Sequence, residues 1–597
     1  MNNTNKEKKY SIVKAFFKLL PSVFGSAPLS FSVAQCVMGM YGIILGVTTI
    51  VTQRFFDTAA NFVNKTTSLQ SVIIMLIVLG LTHIVSQVLN GASFIMLETL
   101  VQKVSGKLSI KVHNKMCKLS PANFEDTQLL DNINKAEQGK SNTVWFILSI
   151  FLTLTYYTPY YTIMAVYLSS VKPIMALSVL LVFLPTLISQ FLHAKVFSKL
   201  EDKTAPIRRE FGYYEGCMTS REYYKETRIL GAFTFFKKLY LDCLVLLNKL
   251  SFRASIKSTL IDLGMKLLSL GGYLGILFML FTSLINGEVS VGMFAAVFAS
   301  IGFMFSFMGE LIGGHFGGIA RNFGTVQNYL YFMELPEREG VDIDLKLDKN
   351  ISLNNVSFTY PGTEKKAVDD VSLAIKAGET VAVVGENGSG KTTLVRLITG
   401  LYLPDDGTVL YGEIDTKTVS THSLFQHISA VFQKYQRYQM TLRENINISD
   451  VEKMVDDTVL DTVCSNAGVD KNGNSLTNSY DTMLSREFDG VDLSGGQWQR
   501  VAIARSFFRS HHIIILDEPT AAIDPLEETK IYNHFAEISK TKTAIIVTHR
   551  LGSVKLADRI LVMKEGKLVE QGTHAELISV NGEYARLYMA QEQWYKV

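Results

Sequence analysis

VAVVG, Val381–Gly385, runs without a break into ENGSGKT, Glu386–Thr392. The apolar run reads as a buried strand, the glycine-rich run as a tight turn, and Lys391–Thr392 as the start of a helix. Glycines let successive backbone N–H groups curl around phosphates, and a helix N-terminus adds a favourable dipole. Gly385, Glu386, Asn387, Gly388, Ser389, Gly390, Lys391, Thr392 and Thr393 are therefore candidate nucleotide contacts. Lys391 is expected to reach the β- and γ-phosphates, and the Thr392 hydroxyl to bind Mg²⁺.

Two further stretches follow in order. IIILDEP, Ile513–Pro519, reads as a buried strand ending in two carboxylates. Asp517 is placed for Mg²⁺, directly or through water, and Glu518 to polarise an attacking water. Phosphoryl transfer chiefly needs positioning and charge neutralisation, which such a set supplies. Upstream of it, LSGGQ, Leu493–Gln497, opens the helix-like run QWQRVAIARSFF. Ser494, Gly495, Gly496 and Gln497 thus form a second anion-binding helix start.

At 597 residues the chain exceeds one ordinary core, so two or more domains are expected. Hydrophobic residues are 48% and charged residues 19%, and the mean hydropathy is +0.19, a balance that leans toward a membrane protein. A net charge of +3 is too small to imply a nucleic-acid partner. Cys36, Cys117, Cys217, Cys243 and Cys464 show neither a CxxC pair nor a metal-ligand spacing, so they read as structural. The N-terminal MNNTNKEKKYSIVKAFFKLL is basic and amphipathic and lacks the cleavage site of a secretory signal. Residues 1–29 are expected to hold a helix lying on the cytosolic membrane face.

Six stretches suffice to cross a hydrocarbon layer of about 30 Å, which takes about 20 helical residues. They are Ser30–Val51, Ser71–Met96, Val144–Leu168, Pro173–Leu192, Leu260–Ile285 and Val291–Gly313. Helices are the expected reading, because an open sheet would leave backbone groups unpaired in lipid. Lys and Arg gather in the long connections, including Lys103, Lys107, Lys111, Lys195, Lys199, Arg208, Arg209, Lys237 and Lys238. Positive residues stay cytosolic, so both termini and these connections face the cytoplasm. SPANFEDTQLL and REYYKETRILGA sit at the far ends of the two long hairpins. Their residues Phe124, Glu125, Lys225 and Glu226 are candidate contacts with the ATP domain. A membrane domain over 30–335, a polar linker over 336–348 and an α/β ATPase domain over 349–597 complete the expected organisation.

Tyr156, Tyr157, Tyr160 and Tyr161 flank Pro159 in the third stretch. Tyrosines belong at membrane interfaces, so such a cluster in mid-membrane suits either a partly wet cavity for cargo or an aromatic packing seam. Glu310 is a further cargo-contact candidate, with snorkelling as the alternative. Gly309, Gly313, Gly314, Gly317 and Gly318 are expected to permit close helix approach.

The ordered set of motifs behind six spans resembles the half-transporters of the ATP-binding cassette (ABC) exporters, over nearly the whole chain. The resemblance implies an α-helical membrane domain followed by a P-loop ABC ATPase domain, with ATP and Mg²⁺ as cofactors and alternating access as the mechanism. Tyr360 in FTYPG matches the aromatic that stacks on adenine, and Gln433 in VFQ the residue linking metal and water to the membrane domain. Asp524 in AAIDP matches the loop between two sites, and His549 in VTHR the γ-phosphate switch. LSGGQ would cap the nucleotide of a facing subunit, implying two cassettes: a homodimer is favoured, and a heterodimer stays open.

REFDGVDLSGGQ, Arg486–Gln497, departs from the acidic stretch of many multidrug and lipid exporters. With KYQRYQMTLRENI, Lys434–Ile446, it is more similar to the lantibiotic (nisin-type) peptide exporters. The resemblance implies a bacterial cytoplasmic-membrane exporter of a peptide or other amphipathic cargo, with multidrug or lipid export as the alternative.

Overall fold

The computed structural model describes residues 10–343, 345, 349–471, 476, 478–518, 525–549 and 553–592. Pro519 and Asp524 of the sequence motifs therefore lie outside the described residues. The chain divides into two compact units. The first comprises Met1–Met116 and Asp131–Leu335, and the second Cys117–Leu130 and Pro336–Val597.

The first unit is helical throughout its described length. Its elements are α1 (Ile12–Phe24), α2 (Pro28–Val63), α3 (Leu69–Lys118), α4 (Thr127–Leu152), α5 (Thr158–Val171), α6 (Pro173–Thr219), α7 (Tyr224–Ile229), α8 (Phe233–Ile285), α9 (Val291–Gly309) and α10 (Gly317–Met333). Ser11 caps α1, its hydroxyl accepting from Lys14 N–H, and Ala15, Leu19 and Val23 are buried at four-residue spacing. Phe17 and Val13 on the same helix are exposed. α6 and α8 pack along each other as the main pair, and α2 packs on α5 and α9. Rows such as Leu76, Ile77, Leu81, Ile84 and Val88 on α3 lie exposed, as a lipid-facing surface requires.

Five helices, among the described residues, are individually long and apolar enough to span a membrane. The sixth expected span, Val144–Leu168, is continuous helical backbone divided into α4, a π turn at Thr153–Tyr157, and α5. Pro159 lacks an N–H donor, so the ladder shifts register there: Thr158 N–H and its hydroxyl both reach back to Thr153 O. The tyrosines and threonines of this stretch also dilute its apolar run. A second π turn, Glu310–Phe316, joins α9 to α10 and contains Gly313 and Gly314.

Of the glycines expected to permit close approach, Gly313 and Gly317 face Gln190 of α6, at 3.5 and 2.7 Å from a Cβ built on each. A Cβ on Gly309 or Gly318 would meet nothing within 4 Å. Tighter sites lie elsewhere: a Cβ at Gly42 would lie 2.3 Å from Tyr156 O, and one at Gly139 2.3 Å from Thr325 O. Small residues matter where backbones meet, and only the packing decides where that is.

In the second unit the strands and helices run β1 (Ile351–Thr359), β2 (Lys366–Ile375), β3 (Thr380–Gly385), α11 (Lys391–Ile398), β4 (Asp406–Tyr411), β5 (Ile414–Asp415), α12 (Thr421–Phe425), β6 (Ile428–Val431), α13 (Leu442–Asn447), α14 (Asp457–Ala467), α15 (Gly495–Phe508), β7 (Ile513–Asp517), α16 (Pro525–Ser539), β8 (Thr543–Val547), β9 (Arg559–Lys564), β10 (Lys567–Gly572), α17 (His574–Val580) and α18 (Glu583–Glu592). β2-β1-β4-β5 form an antiparallel sheet. The other sheet has the order β10-β9-β3-β8-β7-β6, parallel except at its β9–β10 edge. Every residue of β7 and β8 is buried, as in parallel strands covered on both faces. Residues 336–343, expected as a linker, group with this unit: Val341 bridges Val419, and Arg338 donates to Gly400 O at 2.7 Å.

Gly42→Val is expected to destabilise the packing of α2 on the Thr153–Tyr157 π turn by about 1–3 kcal/mol, the usual cost of overpacking. Gly80→Val, at a position open for at least 4 Å, should be neutral. Melting of the detergent-solubilised protein distinguishes them; equal melting of both variants would refute the contact.

Candidate functional site

β3, β8 and β7 lie side by side in parallel, with Val383 opposite Val547 and Val547 opposite Asp517. The chain thus leaves all three at one edge of the sheet, through Gly385–Gly390, His549 and Glu518. The turn after β3 needs its glycines: Gly385, Gly388 and Gly390 have φ of 150°, 78° and 103°. A Cβ at Gly390 would stand 2.4 Å from Ala367 O. Gly390 serves as the N-cap of α11.

Lys391 is buried and donates to Gly385 O and Glu386 O, both at 2.9 Å, holding the turn closed. Burial pulls its pKa below the ordinary lysine value, while the charges of Glu518 and Asp517 oppose that shift. Thr392 Oγ1 donates to Asp517 Oδ1 at 3.3 Å. Asp517 is 1% exposed, and its Oδ2 has no hydrogen-bond partner among the described residues. Burial raises the Asp517 carboxyl to about 6, with the Glu518 charge adding and the Thr392 hydrogen bond opposing. An orphaned buried carboxylate oxygen beside a hydroxyl is a donor set suited to a hard cation such as Mg²⁺.

Glu518 occupies the left-handed region, φ 49°, and its N–H donates to Val547 O at 2.9 Å. A non-glycine residue there carries a strain of about 1–3 kcal/mol, which persists only where its surroundings impose it. Here the Glu518 carboxylate accepts from Gln433 Nε2 at 2.7 Å and lies 3.3 Å from His549 Nδ1. One cavity of about 670 Å³ is lined by Tyr360, Ala367, Asn387, Gly388, Gly390, Lys391, Thr392, Thr393, Gln433, Glu518 and His549. Tyr360 and His549, far apart in the chain, thus line one cavity.

Ser494–Gln497 do not line this cavity. They form a capping box at the start of α15: Gln497 N–H donates to Ser494 Oγ, and Ser494 N–H to Gln497 Oε1 at 2.9 Å. Gly495 O accepts from Tyr435, and Gly496 follows in the first turn of α15.

Around Tyr360 the structure adds residues that no motif flagged. Tyr360 OH bonds to Thr393 Oγ1 at 2.9 Å. Arg396 NH1 donates to Tyr360 OH at 3.2 Å, to Tyr402 OH at 2.8 Å and to Glu125 Oε1 at 3.1 Å. Tyr402 OH also donates to Glu125 Oε1. The tip Cys117–Leu130 belongs to the same compact unit as the nucleotide cavity, so Glu125, Arg396, Tyr360 and Thr393 form one continuous polar chain. Phe124 beside it is exposed. Lys225 and Glu226 lie exposed on α7 of the membrane unit. Arg586 of α18 is a second unflagged residue, ion-paired with Glu386 at 2.6 Å.

Of the cargo-contact candidates, Tyr156, Tyr157 and Tyr160 close around Phe307, with ring centroids 4.9, 4.5 and 5.0 Å from it. Tyr157 and Tyr160 are each 1% exposed. Tyr161 OH donates to Met304 O at 2.9 Å. This is an aromatic seam, although Tyr157 and Tyr161 also edge a cavity of about 430 Å³. Glu310 lies within hydrogen-bonding reach of Tyr157 and opens on a second cavity, of about 320 Å³, with Asn142, Trp145, Ser149, His315 and Arg321.

The ABC transporter family profile matches residues 368–521. The chain is 30% identical over 515 residues to the Subtilin transport ATP-binding protein SpaT of Bacillus subtilis, covering 81% of this chain and 79% of that one. It is 37% identical over 245 residues, 40% of each chain, to the Nisin transport ATP-binding protein NisT of Lactococcus lactis subsp. lactis. It is also 35% identical over 261 residues, 43% of each chain, to the ATP-dependent lipid A-core flippase of Pseudomonas putida. In fold it matches the structure of a bacterial Atm1-family ABC exporter with ATP bound, at a TM-score of 0.75 and 20% identity, over 94% of this chain and 99% of that one. A membrane unit of long helices fused to a P-loop ATPase defines an exporter-type half-transporter. The chain belongs to the ABC transporter family, as a multi-pass membrane ATPase that binds ATP and couples it to export.

Arg396→Ala removes the hub between Tyr360 and Glu125 without a helix penalty. A charged hydrogen-bond donor of this kind is worth enough to raise KM for ATP about tenfold, with kcat little changed. Arg396→Lys should restore KM in part, because all three contacts come from one Arg396 nitrogen and an ammonium carries three N–H donors of its own. Steady-state ATPase kinetics decide it: an unchanged KM in Arg396→Ala would show the hub to be structural only.

Proposed function

We propose that this chain exports a lantibiotic-type peptide across the bacterial cytoplasmic membrane, as a homodimer that alternates between inward and outward access. The observation that carries the cargo reading is the extent of the likeness to the subtilin transporter, 515 residues. That length exceeds the ATP unit, so it includes much of the membrane unit. The likeness to two lipid A-core flippases extends over 261 and 327 residues, so it takes in less of the membrane unit.

Within each cassette, the Gly385–Gly390 turn and Lys391 bind the nucleotide phosphates, Tyr360 packs on the base, and Thr392, Asp517 and Gln433 hold Mg²⁺. The metal, when bound, neutralises phosphate charge and offsets the burial of Asp517. Glu518 is held by Gln433 and His549 where it can orient water and take its proton. His549 borders the same cavity and reads the γ-phosphate. Ser494, Gly495, Gly496 and Gln497 stand outside the cavity of their own chain, which supports their serving the site of a second copy. Asp524 belongs to the same arrangement by its motif. Because this chain carries the whole set, two equivalent sites are favoured over pairing with a different half. The tips bearing Phe124, Glu125, Lys225 and Glu226 transmit cassette movement to the helices.

Uptake into inside-out vesicles tests the reading, with a leader-bearing modified peptide offered beside a lipophilic dye. ATP-dependent uptake of the peptide is expected, and uptake of dye alone would reassign the chain to multidrug or lipid export. Glu518→Gln serves as control: nucleotide binding should persist while turnover falls about 100-fold or more, the usual loss with a general base. Turnover like the parent's would remove Glu518 from that role.

A further inference from the structure

Where the α6–α8 pair leaves the membrane, the two helices enclose a groove of about 580 Å³. Its walls carry Lys195, Lys199 and Lys203 from α6 and Arg253 and Lys257 from α8. The spacing puts each set on one helix face, so the two rows point at a common space. Leu192, Val196, Leu200, Leu250, Ala254 and Ile261 form the apolar floor between them. None of the five cations has an acidic partner among the described residues. Among the described side chains nearby, Glu201 pairs with Arg208 at 3.2 Å and Asp262 with Lys266 at 2.8 Å. Five cations crowded around one groove repel each other unless an anion enters it.

The depth of the groove indicates which anion. Lys195 and Lys257 lie three residues outside the apolar stretches that end at Leu192 and begin at Leu260. At about 1.5 Å per residue they stand roughly 5 Å beyond the hydrocarbon, at headgroup level, and Lys199 and Arg253 stand one helical turn further out. Below the groove, Leu184, Ile188 and Phe191 of α6 and Leu260, Leu263 and Leu267 of α8 are exposed and apolar, a surface for acyl chains. An acidic peptide would match the cations but not this continuation into the bilayer.

We propose that the α6–α8 groove is a binding site for an anionic phospholipid of the cytosolic leaflet. The phosphate is held by Lys195, Lys199, Arg253 and Lys257, and the acyl chains follow the exposed rows. The lipid is a resident ligand, distinct from cargo, and it relieves the repulsion between the cation rows. A basic residue at a membrane surface contributes enough that each charge removed should weaken retention about fivefold.

The test uses the full chain in phosphatidylcholine nanodiscs doped with phosphatidylglycerol, with co-purifying lipid counted by native mass spectrometry. The parent should retain phosphatidylglycerol in preference to phosphatidylcholine. Lys195→Gln/Lys199→Gln/Arg253→Gln/Lys257→Gln should lose that preference, and the Arg-for-Lys version of the three lysines should keep it. Lys237→Gln/Lys238→Gln, which removes charge farther from the membrane, should also keep it. Basal ATPase of the quadruple variant confirms that it folds. An undiminished preference in the quadruple variant would overturn the site, leaving the lysines as snorkelling residues. Release of the lipid on adding ATP would overturn residency, making it cargo in passage. Saturable binding of an acidic peptide to the groove without any lipid preference would overturn the lipid assignment. None of these outcomes depends on peptide export, so the two readings fail separately.

Discussion

The in-register parallel pairing of β3, β8 and β7 is the constraint on which the chemistry depends. With Val383, Val547 and Asp517 aligned, the phosphate-binding turn, His549 and Glu518 leave the sheet at one edge. Side chains alternate faces along a strand, so a slip of one residue in β7 would send the Asp517 carboxylate away from Thr392. It would bury an uncompensated charge among apolar neighbours, which is far more costly than the slip of an apolar residue. The site and the sheet register therefore enforce each other.

Burial acts on the two central charges in opposite directions, raising the Asp517 carboxyl and lowering the Lys391 ammonium. Both groups are pushed toward their neutral forms at one edge of the sheet, and perturbed charges of this kind gather at functional sites. The left-handed Glu518 belongs to the same pattern of local strain kept by a rigid surround. Not every polar contact at the site carries equal weight. Arg586–Glu386 is a half-exposed pair whose energy solvent largely screens. The Arg396 hub is better shielded and serves three acceptors at once.

The membrane unit obeys a different economy. Its outer helix faces are apolar because they meet lipid, and burial within the unit is shared among aliphatic, small and aromatic side chains such as Leu148, Val297, Ala296 and Tyr157. Two π turns, Thr153–Tyr157 and Glu310–Phe316, lie against each other through Tyr157 and His315, whose rings are 5.4 Å apart. Such turns widen a helix locally and concentrate at functional positions. Here they border the Phe307 seam and the cavity containing Glu310.

Local patterns made the strand–turn–helix at Val381–Thr392, the carboxylates after Ile513–Leu516 and the helix opened by Ser494 legible from the amino acids alone. Each depends on φ/ψ preference, periodicity or capping within a few residues. The apolar stretches were equally plain, because lipid demands length and composition, which a sequence displays directly. The division of Val144–Leu168 by a π turn was not, since a hydrogen-bond register shift depends on neighbours such as Gln35, which accepts from Thr155. Nor could spacing tell that Gly42, instead of Gly309 or Gly318, meets another backbone. Glu125 and Arg396 stand 271 residues apart, and Lys195 and Lys257 belong to different helices. A chain displays its local conformational preferences, whereas the pairing of distant charges is decided only when whole elements pack and exclude water between them.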